Sequence, residues 1–319
     1  MKKIFFLKPG VRDVGGSSQK FPGGTITNGI IRAKLYFPDP VKGYYQGVRF
    51  DWSGNMPSLE FNGHQYFGKW FGEYHPEIHD VIMGPVEEFM SPDYADVKPG
   101  ESFLKPGVGI LMKPDDEPYD FHRFYPMLNR GKWKTKCSSD SIQYIHELND
   151  TKWSYHYTKD ISLVKDKAEL VIEHSFRNTG KKEIETGVYD HNFFMFDNQP
   201  VGPGYSVTFP FNIKGDGIGI GELAELRGNK IEYLRFLKAG EEVFCHDMEG
   251  FGPGTEEYDI RIENDKAGTG VRITCRQPFL KLNFWCCPTT ICPEPYITIK
   301  AAPGEEFKWT IRYEFYELQ

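Results

Sequence analysis

The sequence predicts an all-β fold, and three observations carry that prediction. Glycine (33) and proline (22) interrupt the 319 residues so often that long helices have little room. Aromatic residues reach 15%, a composition suited to strands joined by turns. The closing segment alternates cleanly: Phe307, Trp309, Ile311, Tyr313 and Phe315 share one face, and Lys308, Thr310, Arg312 and Glu314 share the other.

In chain order, the first clear strand spans Ser154 to Leu163. In the next, Leu170, Ile172, His174 and Phe176 oppose Glu169, Glu173, Ser175 and Arg177, up to the turn signal Asn178-Thr179-Gly180. Further strands are expected at Tyr205 to Phe209, Tyr258 to Glu263, Gly270 to Arg276, Phe279 to Trp285 and Tyr296 to Ala301. One helix is expected over Glu222 to Leu237, shortened or broken by Gly228. Pro303-Gly304 turns the chain into the last strand. No linker-like shift in composition and no repeat divides the sequence, so residues 1–319 read as a single antiparallel β domain.

Composition removes several function classes. The net charge is −7 and no basic tract occurs, so the electrostatic footprint of a nucleic-acid binder is missing. No stretch approaches the roughly 20 apolar residues of a membrane helix. The start, Met1 to Gly10, resembles a secretion signal, but its apolar run of four residues falls short of the about 7–15 that a signal needs. Six cysteines are too sparse for a disulfide framework. A cytoplasmic location is therefore expected, with a secreted or periplasmic form left open. The expected partner is a small, neutral or weakly charged molecule.

The chemistry centres on His191, in Val188-Tyr189-Asp190-His191-Asn192-Phe193-Phe194. On a strand an imidazole is by default a hydrogen-bonded core residue. Here Asp190 and Asn192 should face the opposite way, while Phe193 shares the histidine's face and offers a ring to stack on a sugar. Glu294 sits between Pro293 and Pro295, whose fixed φ holds a side chain in place. An imidazole and a carboxylate form a minimal acid-base pair. Arg49, among aromatics in Gly47-Val48-Arg49-Phe50, suits forked hydrogen bonds to hydroxyls.

His75 and His79 stand four apart near carboxylates, but Pro76 between them argues for a loop, and no metal is expected. Cys286, Cys287 and Cys292 lack the second pair that a zinc site requires and read as core thiols. The run Gly215 to Gly221 fits no GxGxxG register, and no GxSxG elbow occurs.

In this order the motifs resemble the aldose 1-epimerase (galactose mutarotase) family. Asp190-His191-Asn192-Phe193-Phe194 is similar to its Asn-His-x-Tyr-Phe-Asn-Leu run, Glu294 to its carboxy-terminal glutamate, and Gly47-Val48-Arg49-Phe50 to its Gly-Arg-aromatic motif. Asn62-Gly63-His64-Gln65-Tyr66 resembles the Asn-Gly-x-x-Tyr hairpin that follows. The resemblance implies a galactose mutarotase-like β-supersandwich of two large twisted sheets with few short helices. It further implies anomer interconversion of an aldose without a cofactor, with His191 as acid and Glu294 as base.

Arg49, His79 (or His75 in its place), Phe193 and, from the Tyr258-Asp259-Ile260 match, Asp259 would bind the sugar. Two departures stand out: the family's His-Gly-Gly is absent, and Asp190 occupies an asparagine position. They mark a divergent subgroup and leave the sugar open. A non-catalytic carbohydrate-binding or sensing module, and a polysaccharide lyase or glycosidase domain, remain alternative readings.

Overall fold

A computed structural model describes residues 21–319; Met1 to Gly10, read above against a secretion signal, lie outside the described residues. Two large antiparallel sheets dominate. The larger has ten strands, ordered Ala224–Arg227, Lys230–Tyr233, Tyr205–Thr208, Asp259–Asn264, Thr269–Cys275, Glu306–Glu317, Glu169–Asn178, Ser154–Leu163, Ser141–Asn149 and Lys132–Cys137. The smaller has six, ordered Gly217–Ile218, Val243–Cys245, Lys281–Cys287, Thr290–Ala301, Ile184–His191 and Val86–Phe89. A four-stranded and a three-stranded sheet flank them. Among the described residues no helix is long and apolar enough to cross a membrane.

The alternation read in the sequence is what the two sheets bury between them. Trp309, Ile311, Tyr313 and Phe315 meet Leu170, Ile172 and Phe176 in one apolar cluster that runs from Ile26 to Phe315. Ser154–Leu163 has the expected bounds, and the strand at Leu170 pairs with the closing strand, Ile172 opposite Ile311. A second, smaller apolar cluster packs loop residues such as Tyr44, Phe50, Ile82 and Tyr125 over the outer face of the six-stranded sheet. These loops build the wall of the cleft described below.

Two expectations change. Glu222 to Leu237 is not a helix: Ala224–Arg227 pairs with Lys230–Tyr233 in a hairpin whose turn needs a left-handed residue, supplied by Gly228 at φ +60°. Its apolar residues Ala224, Ile231 and Tyr233 alternate into the core, and burial of that face overrode the local helix propensity. The second change concerns Pro293-Glu294-Pro295, which lies inside the twelve-residue strand Thr290–Ala301. Residues two apart direct their N–H groups to the same strand edge, so both prolines withdraw donors from one side only. Pairing to Lys281–Cys287 accordingly continues through Glu294, opposite Asn283, while pairing to Ile184–His191 stops at Tyr296.

Candidate active site

Because strand side chains alternate, the end of Ile184–His191 serves two compartments. Tyr189 and His191 face outward into a cleft of about 430 Å³, and Asp190 faces inward between the sheets. The neighbouring strand does the same: Glu88, opposite Tyr189, lines the cleft, and Glu87, opposite Asp190, is buried inside.

Interruption of the sheet at Pro293 and Pro295 brings His191 and Glu294 together. Nε2 of His191 lies 3.4 Å from Oε1 of Glu294, with side-chain exposures of only 4% and 6%. Asn192 locks this junction from behind, donating to the carbonyls of Asp190 (3.0 Å) and Pro293 (3.2 Å). The chain then turns sharply through Phe193 at φ +40°, a left-handed conformation that a non-glycine residue adopts at a cost. The Phe193 ring stacks on His191 at 3.9 Å and on Trp70 at 4.9 Å.

The electrostatics of the pair follow from burial. Desolvation, with the nearby Arg49 cation, holds His191 well below its ordinary range, and Glu88 only partly opposes this. Desolvation pushes the Glu294 carboxyl up to about 7, against Arg49 and the Asn283 amide that accompanies it at 3.5 Å. Just below pH 7 the resting pair therefore carries its proton on Glu294, beside a neutral imidazole.

Arg49 lines the cleft, but its guanidinium is largely engaged. Nε donates to Glu88 at 2.6 Å, Nη2 to the Tyr189 hydroxyl at 3.1 Å, and Nη1 reaches Asp80 at 3.5 Å, with Phe121 stacked at 3.8 Å. Gly47 makes this placement possible: a Cβ there would meet the Tyr45 hydroxyl at 2.4 Å, and that hydroxyl accepts the N–H of Phe50. His79 lies at the rim with Nε2 2.7 Å from Asp80.

Three assignments are corrected. His75 is exposed and lies away from the cleft, its Nδ1 accepting the N–H of Glu77 in a local turn that Pro76 enforces. Asp259 lies on the ten-stranded sheet, where both its oxygens are taken by Arg272 at 2.8 and 2.6 Å, so it takes no part in this cleft. Phe193 lines the cleft, but its ring faces are covered by His191 and Trp70; half-buried Trp70, Trp285, Phe121 and Phe244 also present aromatic surface there.

Sequence reasoning missed Glu88, Tyr189, Asn283 and Lys281, all of which line the cleft. An acidic doublet inside the apolar run Val86-Glu87-Glu88-Phe89 was the one available signal.

Asp190, the departure from the resembled motif, does not face the cleft. The Tyr313 hydroxyl lies against Asp190 and also 2.9 Å from Oδ1 of Asn192, whose amide nitrogen is committed elsewhere. Tyr313 has one proton for two acceptors, so both of its contacts are satisfied when Asp190 is itself protonated on Oδ2 and donates to Tyr313, while Oδ1 has no partner among the described residues. Burial and the neighbouring Glu87 raise the Asp190 carboxyl in that direction. A protonated carboxyl presents the same shape and donor as an amide.

Asp190→Asn is therefore expected to fold and to keep the cleft intact. A carboxyl whose folded pKa is raised weakens the fold as pH climbs from its unfolded pKa, about 4, toward its folded value. The variant's urea midpoint should gain on the wild type across that window and hold a constant difference above it. A difference that shrinks as pH rises would overturn this assignment.

No protein-family model matches the chain, and no curated protein matches it in sequence. Solved structures do match in fold. The Slr1438 protein from Synechocystis sp. PCC 6803 superimposes with a TM-score of 0.57 at 11% identity, covering 96% of this chain and 100% of that one. The GalM/aldose epimerase homologue from C. elegans gives 0.56 at 12% identity, covering 93% and 100%. A galactose mutarotase-like protein from Lactobacillus casei ATCC 334 gives 0.52 at 14% identity, covering 92% and 100%. The chain thus has the galactose mutarotase-like fold.

Proposed function

We propose that the protein is a divergent aldose 1-epimerase that interconverts the anomers of a small sugar. The observation that carries this reading is the buried contact of 3.4 Å between His191 Nε2 and Glu294 Oε1 at the floor of the cleft. Ring opening of a hemiacetal requires a base at the anomeric hydroxyl and an acid at the ring oxygen, with the roles exchanged when the ring recloses on the other face. A singly protonated imidazole-carboxylate pair returns to its starting state after each cycle and needs no cofactor.

The resting tautomer keeps the proton on Glu294, and the working tautomer has Glu294 as base and His191 as acid. Both carry one proton, and the direct contact provides the path between them. Sugar hydroxyls entering the cleft would solvate the Glu294 carboxylate and favour the working form. Trp70 and Trp285 would cover the apolar sugar face, and Arg49 would fix Glu88 and Tyr189 beside the ring.

The pH profile follows from the proton count. Above about pH 7 Glu294 loses its proton while His191 stays neutral, so the pair is empty. The value of kcat/KM should therefore fall as pH rises through about 7 and fall again only well below 6.5, where His191 gains a second proton. Polarimetry corrected for buffer catalysis reads this directly, and a rate that keeps rising from pH 7 to 9 would refute it. NMR exchange across aldoses tests the reaction itself. Sugar binding without accelerated exchange would instead mark a carbohydrate-binding module, and product release from oligosaccharides a lyase or glycosidase.

A further inference from the structure

A second cavity of about 550 Å³ adjoins the cleft, and both volumes lie within the about 300–1,000 Å³ typical of ligand sites. The two share Glu88, Tyr189, Lys281 and Tyr296 as lining. These four residues form one row across the sheet: Tyr189 pairs with Glu88 and with Tyr296, and Tyr296 pairs with Lys281. His191 and Glu294 each lie two residues along their strands from that row, which places them on the same face one step away. One step is about 7 Å, roughly the width of a pyranose.

Beyond the shared row the annex is lined by Met90, Ala95, Tyr94, Pro118 and Tyr119, with the charged Lys105, Lys113, Asp116 and Glu117 among them. Apolar and aromatic surface of this kind suits the C–H face of a sugar. Two hydroxyls there are buried without a hydrogen-bond partner among the described residues: Ser91 Oγ and Tyr119 OH. Buried hydroxyls are ordinarily satisfied, and rotation of either side chain toward the annex would let a ligand hydroxyl complete it. Lys281, over the Tyr296 ring at 4.2 Å, stands at the junction as a further donor.

We infer that the annex is a second sugar subsite, so that the preferred ligand is a reducing disaccharide, or the reducing end of a longer glycan. Its terminal ring would lie at His191 and Glu294, and the next ring against Met90, Ala95 and Pro118. This rests on the sugar-binding reading above but not on catalysis.

The test pairs each reducing disaccharide with its own reducing-end sugar: maltose and cellobiose with glucose, galactobiose with galactose, and xylobiose with xylose. Each pair is measured by anomer exchange and by calorimetric binding, in the wild type, in Ala95→Trp, which fills the exposed side of the annex, and in Tyr119→Phe, which removes one hydroxyl. At least one pair should favour the disaccharide by about tenfold or more, the effect of one to two net hydrogen bonds. That ratio should collapse in Ala95→Trp and shrink in Tyr119→Phe.

Equal exchange and equal binding within every pair would overturn the subsite and leave the epimerase reading standing. A disaccharide preference unmoved by either variant would also overturn it. Tighter disaccharide binding that the variants abolish, with no exchange accelerated for any sugar, would support the subsite and overturn the epimerase.

Discussion

His191→Asn and Glu294→Gln should each lower the rate of anomer exchange by about 10²–10⁴-fold while leaving a folded protein, the span lost when one positioned acid-base group is removed. Glu294→Gln keeps size and shape, whereas His191→Asn is smaller and places no nitrogen where Nε2 meets Glu294. His191→Asn gives up the stack on Phe193 at 3.9 Å but leaves Asn192 bonded to Pro293, so the backbone junction survives. Glu294→Gln keeps an amide opposite Asn283 within the same strand pair.

Because the two groups act on one proton, the double variant should be barely slower than the worse single one, as expected of residues that work as a unit. Progress curves by polarimetry, with far-ultraviolet circular dichroism as the folding check, decide the matter. A folded variant with the wild-type rate would remove that residue from the chemistry.

How much of this was legible in the sequence depends on what one-dimensional patterns encode. Period-two alternation identifies which side chains share a face, and so the strand at Leu170 and the closing strand emerge with correct faces. It also places His191 and Asp190 on opposite sides of one strand. It cannot say which sheet a face meets, and Asp259 was lost for that reason: its strand belongs to the ten-stranded sheet, and its oxygens meet Arg272. The hairpin at Gly228 was hidden because its short strands carry residues with good helix propensity, and only burial of Ala224, Ile231 and Tyr233 decides between the two.

Glu294 was found for an incomplete reason. Proline rigidity contributes, but what brings its carboxyl to His191 is the asymmetric loss of strand pairing on the edge toward Ile184–His191. Glu87 and Glu88 were legible only as neighbouring carboxylates, since a sequence does not show that adjacent acids on one strand serve different compartments. Glu88 joins the cleft, bound to Arg49, while Glu87 lies between the sheets beneath it.

That inner compartment carries the largest expected effect on stability. Lys159→Met should destabilise the fold by about 3–5 kcal/mol, the usual cost of stripping one partner from a buried ion pair. Lys159 and Glu87 form an ion pair between the sheets with side-chain exposures of 0% and 1%. Lys159 also donates to the Ser53 carbonyl at 3.3 Å, and His174, stacked on Trp309 at 4.2 Å, contacts the other Glu87 oxygen.

Burial alone would raise the Glu87 carboxyl, but Lys159 and then His174 outweigh it and hold it down to about 2. Burial keeps His174 below its ordinary range and raises Asp51 and Asp190 to about 7, so these neighbours are neutral just below that pH. The cluster therefore contains one anion and one cation, dressed by neutral donors and acceptors. Methionine fills the space of the lysine stem and leaves Glu87 without its counter-charge, so the loss comes from electrostatics and not from a cavity.

Glu87 in the variant must then either stay ionised without lysine or take up a proton, and proton uptake costs more as pH rises. The deficit should thus be greater at pH 8 than at pH 5. Adding Glu87→Gln should restore much of the loss, because removing both partners eliminates the uncompensated charge. By contrast, replacing Lys300, exposed and paired with Glu185 at 2.6 Å, should not move the unfolding midpoint measurably. Urea unfolding of the single and double variants at both pH values measures each term. If Lys159→Met left the midpoint unchanged, the pair would have no structural role.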